Sequence, residues 1–191
     1  MIGNALRLTL HILLFRAGPQ DFPFDPLLTR FLLPFGVLAN YAVFAMVLPP
    51  GLAVAMAAAM IGGVAIATRL ILRARQLDGR FMQTWHSLLA CTGTLTLLLI
   101  PPFAQIAPEF SRLAENPELA AQNNPVQLPA GPSFIMNILN VWNFAVTAHI
   151  YRHAANVNLW IGALLALLVA ISTLMFVVFF GSLAGVLLGA G

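Results

Sequence analysis

VNLWIGALLALLVAISTLMFVVFFGSLAGVLL, residues 157–188, contains no charged side chain and outruns the roughly 20 residues that a helix needs to cross a hydrocarbon core. A segment this apolar has no place on a watery surface, and its excess length predicts a helix that tilts or projects beyond the bilayer. The bulk numbers agree. Of 191 residues, 60% are hydrophobic and 8% charged, with a mean hydropathy of +0.90; a soluble domain carries about 25% charged residues. The 9 basic residues, all arginine, and 6 acidic ones cannot coat a soluble domain of this size, which excludes a free cytosolic or secreted enzyme.

Upstream of this stretch lie four further apolar segments, at about 30–48, 51–71, 83–105 and 134–152. The sequence therefore predicts an all-α integral membrane protein with five transmembrane helices, forming a single membrane domain over 1–191. Leu48-Pro49-Pro50-Gly51 breaks the first two spans apart as a tight hairpin. A polar loop, 106–133, separates the third and fourth, with a short helix expected near Glu109 to Glu118. Residues 4–16 are too short to span and mix leucines with Arg7, His11 and Arg16, the pattern of an interfacial amphipathic helix. No cleaved signal peptide is expected from this opening.

Sorting arginines by alternate sides gives the orientation, because insertion retains them in the cytoplasm. Arg7, Arg16, Arg30, Arg69, Arg73, Arg75, Arg80 and Arg152 fall on one side and only Arg112 on the other. The N-terminus is thus expected in the cytoplasm, the C-terminus outside, and loop 106–133 is extracytoplasmic. Arg69, Arg73, Arg75 and Arg80 form a cytoplasmic contact for lipids or partners. The pI near 10 does not point to nucleic acid, since the net charge is only +3 and the arginines form no cluster on a soluble face.

Three constellations could carry function. Asn137, Asn140 and Asn143 make a polar stripe on the fourth span, and Thr84, Ser87, Thr92, Thr94 and Thr96 punctuate the third. Such groups bond neighbouring helices, the favoured reading, or line a path for a polar solute. Gly181, Gly185 and Gly189 recur at spacing four, which permits close approach of another helix from this chain, from another membrane protein or from a second copy. His149 and His153 stand one helical turn apart, a metal-ligand spacing for which His11 and His86 are the available third ligands. The plainer reading places the pair, with Tyr151 and Arg152, at the water boundary. Phe176, Phe179 and Phe180 read as lipid-facing packing. Cys91 is alone, so neither a disulfide nor a paired-cysteine site is available. Phosphate loops, serine-nucleophile elbows and zinc-hydrolase helices are missing, so no enzyme activity, cofactor or metal is expected.

GRFMQTWHSLLACTGT, residues 79–94, and Val141-Trp142 followed by HIYR, residues 149–152, resemble the way bacterial members of the Yip family enter their third span and leave their fourth. The family comprises multi-pass membrane proteins named for binding Ypt and Rab GTPases. The resemblance implies a non-catalytic scaffold or accessory subunit that binds membrane proteins or lipids; this chain has no long N-terminal region like that of eukaryotic members. Its lysine-free composition fits a GC-rich bacterium, hence a bacterial inner membrane. The alternatives are a small-molecule or lipid transporter or channel along the asparagine stripe, and a metal- or haem-linked redox subunit at His149 and His153.

Overall fold

Prolines and left-handed turns cut the apolar chain into separate rods. In a computed structural model, which describes residues 2–115 and 128–187, six helices form: α1 (Ile2–Leu13), α2 (Thr29–Phe44), α3 (Pro50–Ala74), α4 (Phe81–Glu115), α5 (Ala130–Ala154) and α6 (Leu159–Leu187). Short 3-10 turns occupy Pro19–Asp21, Pro26–Leu28 and Asp78–Arg80, and there is no strand among the described residues. Pro50 opens α3, where its missing N–H costs nothing. Asn158 starts α6 by accepting the Ile161 amide at 2.9 Å. Helices α1, α3 and α5 each end on a residue with positive φ, namely Phe15, Gln76 and Asn156. In each case the next amide closes back onto the last turn, Arg16 to His11 O at 2.8 Å, Leu77 to Leu72 O at 2.8 Å and Val157 to Arg152 O at 3.0 Å.

The packing order is a closed ring. Helix α2 packs on α4, α4 on α5, α5 on α6, α6 on α3 and α3 back on α2. Glycines set two of the closest approaches. A Cβ on Gly63 would sit 3.3 Å from the Thr173 Cα, bringing α3 against α6, and one on Gly162 would sit 2.7 Å from the Ala148 carbonyl, bringing α6 against α5. Arg80 Nη1 donates to the His153 and Ala154 carbonyls at 3.3 Å each, closing the C-terminus of α5, while Arg69 lies 5.5 Å over the Phe81 ring. These bonds gather the arginine-bearing segments 69–80 and 152–154 at one end of the ring. Helix α1 crosses from α5 to α4 with Ala5, Thr9 and Ile12 buried beneath it; Leu6, Leu10 and Leu14 form its exposed stripe.

Four helices are long and apolar enough to cross a membrane: Pro26–Phe44, Pro50–Ala74, Asp78–Leu113 and Leu159–Leu187. The fourth segment of the five-span reading forms the 25-residue α5, long enough to span, but Asn137, Asn140, Asn143, Thr147 and His149 dilute its hydropathy. Other boundaries shift as well. Helix α2 ends at Phe44 rather than 48 because a turn precedes the Pro49-Pro50 pair. Helix α4 is 35 residues long and runs through Pro101, Pro102 and Pro108, so residues 106–115 of the expected polar loop continue the third span, where a separate short helix was expected from near Glu109. The prolines leave three carbonyls of α4 without their helical donors, a defect that membrane helices tolerate, and buried Ile106 and Ala107 hold the extension in place. The remainder of the polar loop, including Glu118, lies outside the described residues, as does Gly189.

The glycine contacts give a direct test. Gly162→Ala places a methyl against backbone on both sides and is expected to destabilise the protein by about 1–3 kcal/mol, whereas Gly131→Ala meets open space and leaves stability unchanged. Thermal melting in detergent distinguishes the two, and equal midpoints would refute the close α5–α6 crossing.

Candidate functional site

A bond across the ring divides it into a sealed end and a hollow one. Thr68 donates to the Val64 carbonyl at 2.6 Å, so its oxygen accepts the Tyr151 O–H, also at 2.6 Å. Both side chains are fully buried, and α3 and α5 are not ring neighbours. Tyr151 therefore plugs the arginine-rich end, together with Leu72, Leu88 and Ile150. Thr68 back-bonds to its own helix, the habit that makes Ser and Thr tolerable in apolar helices.

Away from this plug the helices line a partly open cavity of about 570 Å³ whose wall takes residues from all five helices of the ring, with Asn140, Phe144, Leu174 and Val178 exposed at its mouth. The apolar part is built by Met56, Met60, Ile61, Leu88, Leu89, Val169 and Val177. Its polar groups are Asn40, Thr92, Thr96, Asn140, Asn143, Thr147 and Thr173, with Trp85, and no ionisable side chain among the described residues lines it. Two are satisfied locally: Asn40 donates to the Gly36 carbonyl at 2.8 Å and Thr92 to the Leu88 carbonyl at 2.7 Å. Two buried atoms are not. Asn143 Oδ1 and Thr173 Oγ1 have no hydrogen-bond partner. Buried polar atoms are normally paired, so each marks a place where something polar belongs.

The asparagine stripe divides accordingly. Asn140 and Asn143 line the cavity, while Asn137 is exposed and does not. None of the three bonds to a neighbouring helix, and Thr84, Ser87, Thr92 and Thr94 all donate to carbonyls four residues back in α4. The expected glue between helices comes from other residues. His86 Nε2 meets Thr29 Oγ1 at 2.7 Å, Trp142 Nε1 donates to the Leu13 carbonyl at 3.0 Å, and Gln83 Nε2 donates to the carbonyls of Gln20 and Phe22 at 3.0 and 2.9 Å.

The histidine pair has a comparable structural task. The rings of His149 and His153 are 4.6 Å apart, as their spacing predicts, but no group of three metal-ligating residues occurs among the described residues. His149 Nε2 lies 2.9 Å from the Ala17 carbonyl, which can only accept, so this nitrogen carries the proton. The ring edge of His149 also supports Phe15, held in its left-handed turn with ring centroids 5.3 Å apart. The pair thus anchors the segment after α1 onto α5. Of the small-residue repeat, Gly181 already packs on Met56 at 3.5 Å and Gly185 faces open space. Arg73 and Arg75 are exposed, while Arg69 and Arg80 are engaged within the chain.

Neither the plug nor the cavity is anticipated by the sequence motifs. Tyr151 and Thr68 have no local signature, since their partnership spans 83 positions of the chain. No family model, curated protein or solved structure matches this chain.

Two substitutions separate structural from vacant polar groups. Tyr151→Phe removes a made bond and is expected to cost about 0.6–1.7 kcal/mol. Thr173→Val removes an unpartnered hydroxyl at constant shape and is expected to leave the melting temperature unchanged or higher. A Thr173→Val loss as large as that of Tyr151→Phe would show that the Thr173 hydroxyl is bonded.

Proposed function

We propose that the chain is a five-span protein of a bacterial inner membrane that binds a small, largely apolar molecule in its central cavity and serves its carriage. The N-terminus lies in the cytoplasm and the C-terminus outside. The observation that carries this reading is the partly open cavity, walled by five helices and free of ionisable groups among the described residues. Its volume falls within the range of small-molecule sites, about 300–1,000 Å³, and its mostly apolar wall with a few convergent polar groups is the usual composition of such sites. Participation of α5 in the ring supports a fifth span, because a helix that walls the ring beside α4 and α6 shares their depth. Clustering of arginines at the plugged end supports the orientation. Helix α1, with leucines outward and its other face on the bundle, suits an interfacial position.

A scaffold or accessory role, as the Yip resemblance implies, is the second reading. Its support is the end of α6, where Gly185 is open and Leu183, Val186 and Leu187 are exposed. It ranks second because Gly181, half of the described repeat, is already consumed by α3. Exposed Arg73 and Arg75 suit anionic lipid headgroups under either reading.

Ala166 is buried on the cavity wall and makes room for a larger side chain. Organic extraction of the purified native protein followed by mass spectrometry is expected to yield an apolar compound in fixed ratio, reduced at least about tenfold in Ala166→Phe, the loss expected when a filled pocket excludes its ligand. Equal recovery from both proteins, or none from the native one, would overturn the binding role.

A further inference from the structure

We propose that the molecule taken up by the central cavity is uncharged and carries a hydroxyl on an otherwise apolar body. This inference rests on the binding role given above and specifies its ligand. Among the described residues the cavity wall contains no Asp, Glu, Arg, Lys or His, so an ion entering it would shed hydration water and find no counter-charge there. The two unpartnered atoms define what the ligand must offer. Asn143 Oδ1 is an acceptor only, so it requires a donor. Thr173 Oγ1 can give or receive, and its side chain is 2% exposed, buried in the wall of α6 beside the cavity. A hydroxyl donates to the first atom, and either role serves the second. A ketone or ester leaves Asn143 unsatisfied, and a plain hydrocarbon leaves both. The remaining polar lining of the wall includes Thr92, whose proton is already committed to the Leu88 carbonyl.

Trp85 reports on this cavity. It lines the wall and is 7% exposed, so surrounding lipid has little access to it, whereas Trp142 and Trp160 lie elsewhere. In a Trp142→Phe, Trp160→Phe host reconstituted in phosphatidylcholine vesicles, Trp85 fluorescence is titrated with three probes of one chain length. These are 9,10-dibromooctadecan-1-ol, 9,10-dibromooctadecane and 9,10-dibromostearate at neutral pH. The alcohol is expected to quench Trp85 at about fivefold lower mole fraction than the alkane, the equivalent of one net hydrogen bond, and the carboxylate least. The advantage of the alcohol should fall in Asn143→Leu and in Thr173→Val, the latter breaking no bond of the fold and so guarding against misfolding. Equal quenching by alcohol and alkane overturns the hydroxyl assignment and leaves the cavity as an apolar site. Absence of quenching by every probe overturns the cavity reading itself.

Discussion

The hydrogen bond from Tyr151 to Thr68 is the constraint on which the shape of the bundle depends. In a low-dielectric interior the bond that gives the Tyr151 hydroxyl its partner holds the two residues at fixed separation, because losing it leaves that hydroxyl with no water to turn to. It joins α3 to α5 across the ring, near the C-terminal ends of both helices. At that end side chains of α5 are buried from Val146 to Ala155, apart from Thr147, Arg152 and His153. Further along, the first half of α5 is largely exposed, with Ile135, Ile138 and Val141 all outward. The ring is therefore pinned at one end and hollow beyond it, and the cavity follows from five helices meeting across a plug too small to fill the space behind it.

Polar residues in this apolar setting fall into three groups by where their hydrogen bonds go. Hydroxyls of Thr9, Thr84, Ser87, Thr92 and Thr94 return to carbonyls of their own helix and so become locally neutral. Trp142, His149 and Gln83 send their donors to carbonyls at the end of α1 and in the irregular segment after it, namely Leu13, Ala17, Gln20 and Phe22. Asn143 and Thr173 keep atoms with no partner, and both lie on the cavity wall. A helical bundle that only filled space would carry Val or Leu at these two positions.

The all-helical, membrane-spanning character is legible in the apolar segments, since hydropathy and helix length respond to the same solvent. The hairpin at Pro49-Pro50 is equally legible, because proline acts on its own residue and its neighbour. The third span was expected to end at 105, yet the chain stays helical through Pro108 to Glu115, with Ile106 and Ala107 buried. The asparagine spacing reads as one stripe, yet only Asn140 and Asn143 line the cavity, and whether a polar face meets a helix or a hollow is decided by packing that no local pattern encodes. Similarly, the spacing of His149 and His153 places two rings together, but the Ala17 carbonyl that occupies His149 comes from a part of the chain with no related motif. Tyr151 and Thr68 are invisible for the same reason.

The docking of the first helix has a consequence for biogenesis. Its C-terminal carbonyl at Leu13 is received by Trp142, 129 positions later, and Ala17 by His149, 132 positions later. At ordinary ribosomal speeds of roughly 5–20 residues per second, α1 emerges about 6–26 s before its receptors exist. Until α4 follows, its leucine-rich body has only the bilayer surface to rest on. Helix α1 is thus made long before α5 and reaches its final place only once α5 has joined the bundle.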